Sequence, residues 1–172
     1  MRRINLADAG FLIMEKREQP MHVGGINLFT LPKGVDEQQF LAGLGDLLRS
    51  TTEFRRPFGD YVKTGRLGSA GPMYWETDSA MDMDYHVRHS ALPKPGRYRE
   101  LFALVSRLHG TLLDRNRPLW EVHLIEGLPK RQFALYIKMH HCAIDGMGAM
   151  HLTQAMCSND ASHQASYGPL SI

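Results

Sequence analysis

Residues 140–146 read His140-His141-Cys142-Ala143-Ile144-Asp145-Gly146, which places two imidazoles, a thiol and a carboxylate in one short run. An unperturbed imidazole has a pKa near 6.5, so around neutral pH it can take the proton of an attacking hydroxyl, as direct acyl transfer to an alcohol requires. The residues before the run, 132–141, alternate as a strand does. Phe133, Leu135, Ile137, Met139 and His141 fall on one face, and Ala134, Tyr136, Lys138 and His140 on the other. The two histidines are therefore expected to point in opposite directions. His141 closes an otherwise apolar row, where a polar ring needs a partner or a purpose. For a strand-end histidine taken alone, a hydrogen-bonding structural role is the commoner outcome. Asp145 and Gly146 add a carboxylate and a helix start just beyond the strand. The positive end of that helix disfavours imidazolium, and backbone N–H groups near Gly146 are placed to meet developing negative charge.

Two other chemistries fit the run less well. Adjacent histidines and an aspartate invite a metal, but opposed strand faces keep His140 and His141 from sharing one ion, and no His-x-x-x-His or Cys-x-x-Cys pair stands nearby. No metal site is expected. Cys142 paired with a histidine would make a nucleophile, yet neighbouring side chains diverge and nothing argues for a lowered thiol pKa. An ordinary buried cysteine is the simpler reading.

The elements that must position this run follow from periodicity. A first helix is expected over 8–16, with Phe11, Leu12 and Glu15 at helical spacing and Gln19-Pro20 closing it. A strand follows over 21–31, with a bulge marked by Gly24-Gly25. Asp36, with Gln39 three residues on, opens a helix carrying Phe40, Leu41, Leu44, Leu47 and Leu48 on one stripe. From 53 to 91 the pattern weakens to short strands at 73–76 and 85–90. A helix over 97–114 shows Tyr98, Leu101, Phe102, Val105, Leu108 and Leu112 on one side. Strands 119–126 and 132–141 form a hairpin joined by Gly127-Leu128-Pro129-Lys130. A last helix, 146–158, precedes a tail without periodicity. Interleaved helices and strands with one clear antiparallel pair favour an α+β or mixed-sheet arrangement over a doubly wound parallel sheet.

Composition narrows the classes. Hydrophobic residues make up 43% and charged residues 22%, the balance of a globular domain. Lys and Arg number 20 against 18 Asp and Glu, and no nucleic-acid motif accompanies that small excess, so no nucleic-acid partner is expected. Two cysteines give no disulfide framework, which fits a reducing, cytoplasmic setting. Asp8, Glu15 and Lys16 interrupt any signal-peptide core. No stretch approaches the roughly 18 apolar residues of a spanning helix, so membrane contact would be peripheral. The ten methionines read mainly as gap-filling core residues. Basic clusters at Arg55, Arg56, Lys63 and Arg66 and at Lys94, Arg97 and Arg99 suit phosphate groups or an anionic membrane, although a solvated face is the commoner use.

His-His-x-x-x-Asp-Gly resembles the signature of the chloramphenicol-acetyltransferase-like superfamily. Further stretches are similar to its wax ester synthase/diacylglycerol acyltransferase branch: Pro20-Met21-His22-Val23-Gly24-Gly25, Arg117-Pro118-Leu119-Trp120-Glu121, Leu124-Ile125-Glu126-Gly127-Leu128, and the approach from Phe133 to His141. This resemblance spans nearly the whole chain. It implies an α+β, chloramphenicol-acetyltransferase-like mixed sheet packed with helices, one half of a two-domain acyltransferase. Residues 1–158 would be the N-terminal domain and 159–172 a flexible tail or linker start. A C-terminal domain outside this sequence would complete the tunnel.

The implied partners are a long-chain acyl-CoA, a fatty alcohol or diacylglycerol, and that second domain, with wax ester or triacylglycerol as product. Acyl-CoA enters as co-substrate, and no cofactor is implied. His141 matches the general base, His140 a supporting residue, Asp145 an orienting aspartate and Gly146 a turn residue and N–H donor. Trp120 reads as architectural. The expected location is cytoplasmic, with peripheral contact to the inner membrane or lipid droplets. Alternatives are a lipid-surface module without chemistry and a peptide-synthetase condensation domain, against which Pro118-Leu119-Trp120-Glu121 argues.

Overall fold

The fold comes from a computed structural model, which describes residues 1–160, 170 and 171. The longest strands are those whose residues alternate. β2 (His22–Thr30), β6 (Trp120–Leu128) and β7 (Gln132–His140) join β5 (Val87–Ala91) in a sheet ordered β2-β7-β6-β5. Pairs β2–β7 and β6–β7 are antiparallel, and β5–β6 is parallel, so the sheet is mixed. A second, antiparallel sheet is ordered β1-β4-β3, from β1 (Arg2–Arg3), β4 (Gly68–Thr77) and β3 (Asp60–Gly65).

Each face of the mixed sheet receives a helix whose apolar stripe matches it. Helix α2 (Glu37–Arg49) is capped by Asp36, whose carboxylate accepts the Gln39 N–H at 2.8 Å. Its Leu41 and Leu48 pack with Phe133, Leu135, Ile137 and Met139, the apolar row of β7. Helix α4 (Tyr98–His109) lays Leu101 and Val105 against Ala134, Tyr136 and Ile125 on the opposite face. Helix α1 (Leu6–Met14) takes a third position. Its Ala9 and Leu12 join Met73 and Trp75 of β4 and Leu113, Leu119 and Cys142, which ties the small sheet to the end of β7. A one-turn helix α3 (Met83–His86) and helix α5 (Gly146–Ala155) complete the elements.

Several expectations need correction. The Gly24-Gly25 pair is not a bulge: β2 pairs residue for residue from His22↔His140 to Thr30↔Gln132. Gly24 is small because the Tyr136 ring lies over it, and a Cβ there would sit 2.6 Å from the phenolic oxygen. The hairpin turn lies later than 127–130, over Pro129–Gln132, with Lys130 and Arg131 both left-handed at φ 57° and 55°, as a type I′ turn demands. Tying that turn down, Arg131 accepts the Leu31 N–H through its carbonyl and donates its guanidinium to Val35 O. Helix α4 stops at His109, five residues short of the expected 114, with Gly110 as its C-cap and Lys138 donating to Leu108 O in its last turn. The strand expected at 85–90 begins at Val87, after Asp82 has capped α3. β3 was not foreseen. Of the expected tail, 161–169 and 172 lie outside the described residues. Leu170 is buried against the main core, and Ser171 bridges Phe54.

Candidate active site

The run carrying the chemistry begins inside the sheet and ends outside it. His140 is the last residue of β7, fully buried, and donates its N–H to Leu119 O at 3.0 Å. Its Nδ1 accepts the Cys142 N–H at 3.1 Å, which leaves the ring proton on Nε2. That Nε2 faces the Glu15 carboxylate at 3.3 Å. Burial dominates its titration and pulls the pKa down to about 4 against the opposing pull of Glu15. His140 is therefore a neutral ring at pH 7, hydrogen-bonded through Nδ1 and lying beside the Glu15 carboxylate through Nε2.

His141 lies one residue beyond the strand, half-buried. Its backbone N–H donates to Met21 O at 2.9 Å, extending the β2–β7 ladder by one bond. Its ring stacks on Phe11 of α1, with centroids 5.0 Å apart and planes 18° from parallel. Among the described residues nothing hydrogen-bonds to the ring. Orientation comes from Phe11 and the backbone, and in the neutral ring the nitrogen without a proton can accept one from a substrate.

The turn then feeds α5. Asp145 is its N-cap, accepting the Gly148 N–H at 2.6 Å, so its carboxylate orients the helix rather than an imidazole. Gly146 does not serve the turn as expected. Its φ is not left-handed, and a Cβ there would meet nothing within 4 Å. The tight position is Gly148, where a Cβ would lie 3.0 Å from both Asp145 and Ile144. The N–H groups of Gly146 and Met147, which a helix leaves unpaired in its first turn, meet no acceptor among the described residues.

Behind β7, a buried polar layer locks the strand to α4. Lys138 is fully buried and donates to Leu108 O in the last turn of that helix at 2.9 Å and to Thr111 O just beyond it at 2.8 Å. Tyr136 Oη meets His109 Nδ1 at 2.8 Å, and a His22 ring N–H donates to His109 O at 2.6 Å. Glu121 is held by His123 at 3.1 Å and by Lys138 and Arg88 at 3.5 Å each. Burial alone would raise its carboxyl, but these three partners hold it below the ordinary range. The face opposite Phe133 and Met139 is thus polar because it anchors the end of α4.

Cys142 and Trp120, read from the sequence as a buried cysteine and an architectural Trp, take structural places, and some of the basic residues are paired. Cys142 is buried, and burial pushes its thiol up, so it stays protonated. Trp120 is buried, stacks on His86 at 4.4 Å and donates Nε1–H to Phe58 O at 2.8 Å, packing plus one hydrogen bond. Of the basic clusters, Lys63 pairs with Glu76 and Arg97 with Glu100. Sequence reasoning missed Phe11, Glu15, Arg115 and Lys138 as neighbours of the motif. The available signal was a carboxylate, Glu15, on the same face of α1 as Phe11 and Leu12, where burial would oblige it to find a cation.

Residues 4–171 match the model of the wax ester synthase/diacylglycerol acyltransferase catalytic domain. The O-acyltransferase WSD of Acinetobacter baylyi is 38% identical over 169 residues, covering 98% of this chain and 35% of that protein. A Mycobacterium tuberculosis protein named as a probable diacylglycerol O-acyltransferase is 48% identical over 153 residues, 89% of this chain and 33% of that one. The chain therefore spans about a third of the length of the curated relatives it matches. The wax ester synthase/diacylglycerol acyltransferase of Marinobacter aquaeolei VT8 superposes with a TM-score of 0.89 at 45% identity, over 99% of this chain and 42% of that one. A condensation domain of the calcium-dependent antibiotic synthetase shares the fold alone, with a TM-score of 0.63 at 19% identity. The α+β, chloramphenicol-acetyltransferase-like architecture and the family matches agree, and the chain belongs to the wax ester synthase/diacylglycerol acyltransferase family.

Proposed function

We propose that this chain is the base-carrying N-terminal part of an O-acyltransferase that moves a long-chain acyl group from acyl-CoA to a fatty alcohol or diacylglycerol. The observation that carries the proposal is His141: a half-buried imidazole, fixed by Phe11 and by the Met21 carbonyl, with its ring nitrogens free and the start of α5 beside it in sequence. In the reaction, His141 takes the proton of the acceptor hydroxyl as its oxygen attacks the thioester carbonyl carbon. The C–O bond forms, negative charge collects on the carbonyl oxygen, and collapse breaks the C–S bond. The proton held by His141 passes to the departing thiolate, so the products are an ester and CoA-SH. The unpaired N–H groups of Gly146 and Met147 are candidates to meet the developing oxyanion. The step needs acyl-CoA as co-substrate and no resident cofactor.

A second domain completes the site in this reading, because the relatives run to about three times the matched length. Peripheral contact with the inner membrane or lipid droplets belongs to the same proposal. It is supported by Leu6, Ile13, Met14, Met147 and Met150, all apolar and at least half exposed. No described helix is long and apolar enough to cross a membrane.

The test is CoA thiol release together with ester formation, using palmitoyl-CoA with hexadecanol or with a diacylglycerol. The protein is the complete enzyme, either the parent that contains this chain or the chain joined to the remaining part of the Marinobacter relative. Ester formation stoichiometric with thiol release supports the reading. Lipid binding by a complete, folded protein without thioester turnover contradicts it.

A further inference from the structure

Glu15 has no part in the reaction as written, yet it is placed as a functional group rather than as helix surface. It is the C-cap of α1, and its side chain is 1% exposed. One carboxylate oxygen accepts the Met21 N–H at 3.2 Å and faces His140 Nε2 at 3.3 Å. The other takes the Arg115 guanidinium at 3.0 Å, and Arg115 also donates to Leu12 O at 2.6 Å. A buried carboxylate persists only when paired and hydrogen-bonded, and here Met21 and Arg115 donate to it while the His140 ring lies beside it, from three segments of chain.

Those segments lead to His141. The Met21 peptide that donates to Glu15 belongs to the residue whose carbonyl accepts the His141 N–H. His140, on the other side of the carboxylate, is joined to His141 by a peptide bond and, through Nδ1, holds the Cys142 N–H that begins the turn. One helical turn before Glu15, Phe11 supplies the ring against which His141 stacks. Helix α1 thus grips the proposed base by its ring and, through Glu15, by the backbone on both sides of it.

The geometry points to Glu15 as a positioning residue for acyl transfer, fixing His141 through Met21 and His140, with Arg115 as its counter-charge. The inference rests on the reading of His141 as the base. Its content is that the carboxylate affects the rate by placing His141, not by touching substrate. Misplacing a reacting group by about 1 Å costs about a hundredfold, so an isosteric loss that loosens rather than removes the contact should cost roughly ten- to a hundredfold.

The experiment compares the complete enzyme with its Glu15→Gln, His141→Ala and doubly substituted forms, using CoA thiol release. Val105→Ala, a core truncation on the buried face of α4, serves as a control for general destabilisation. Hydrogen exchange at the His141 amide is followed in the same proteins. Glu15→Gln is expected to lower kcat by roughly ten- to a hundredfold, to leave KM for acyl-CoA within about twofold, and to speed exchange at the His141 amide. In the His141→Ala background the same change should alter the residual rate by less than about twofold, because residues acting as a unit are not additive. Val105→Ala should lower the melting midpoint without slowing kcat. A folded Glu15→Gln enzyme that keeps its kcat overturns the inference, as does an equal loss in the His141→Ala background. If His141→Ala itself keeps the rate, the general-base reading has failed separately. The exchange data then decide the positioning claim, and unchanged protection at the His141 amide after Glu15→Gln overturns it.

Discussion

His140 and His141 are neighbours in sequence, but one belongs to the end of β7 and the other to the turn that follows. At the strand end, both ring nitrogens of His140 face neighbours, Lys138 donates to Leu108 O of α4 and to Thr111 O just beyond it, and Tyr136, Lys138 and His140 are buried. In the turn, His141 is held by a ring stack and one backbone bond, Asp145 is exposed, and α5 buries none of its residues fully. A fixed site needs the first region, and a group that must exchange protons with a bound substrate needs the second. Substitutions at the strand end should therefore move stability, and substitutions in the turn should move rate.

The largest stability effect is expected at Lys138. Lys138→Ala removes the ammonium that bonds Leu108 O and Thr111 O and takes a cation from buried Glu121, at a cost of about 3–5 kcal/mol. Urea titration measures it, and a loss under about 1 kcal/mol would mean that water replaces the lysine at little cost.

Acid should expose the same contrast. Burial holds His22, His86 and His140 below their ordinary pKa, His140 at about 4. In the unfolded chain these rings take up protons as pH falls through about 6.5, while in the folded protein they stay neutral, so stability is full above that pH and declines below it towards pH 4. Melting midpoints measured across that window should fall. His140→Gln should flatten the slope, and an unchanged slope would remove His140 from the account.

Gly24→Ala is expected to cost about 1–3 kcal/mol, since the new methyl group meets the Tyr136 ring. A neutral result in thermal melts would show that the ring can move away from β2. The smallest effect belongs to the turn. Asp145→Ala removes the α5 cap for about 1 kcal/mol. Despite that small cost, it should lower kcat several-fold, because α5 carries the N–H groups proposed for the oxyanion. A loss of stability without a loss of rate would make α5 purely structural.

What was legible in the sequence follows the same division. The alternation of 133–139 was plain because both faces of β7 are determined by which helix covers them, and the stripe of α2 followed from its own periodicity; on α4 the expected stripe held for Leu101 and Val105, while Tyr98 and Phe102 are exposed and Leu112 lies beyond the helix. Asp36 as a cap was readable because capping is local, three residues apart. Contacts made across long separations were not readable. Glu15 meets Arg115 a hundred residues later, and Lys138 reaches the last turn of α4 from another element, so the buried ion pairs and the neighbours of His140 emerged only with the fold. Gly24 was misread for the same reason, since its smallness answers to Tyr136 on the adjacent strand and not to its own backbone. At Gly146 the motif pointed to a tight turn, while the steric requirement lies two residues on, at Gly148.

The most direct measurement is CoA thiol release by the complete enzyme and its His141→Ala form, with melting midpoints recorded on the same samples. The account predicts a rate at least about a hundredfold lower, with a midpoint close to that of the parent, because the His141 ring makes one stacking contact and no hydrogen bond among the described residues. A folded His141→Ala enzyme that retains the parent rate would contradict the account, leaving His141 a structural residue at the end of a strand.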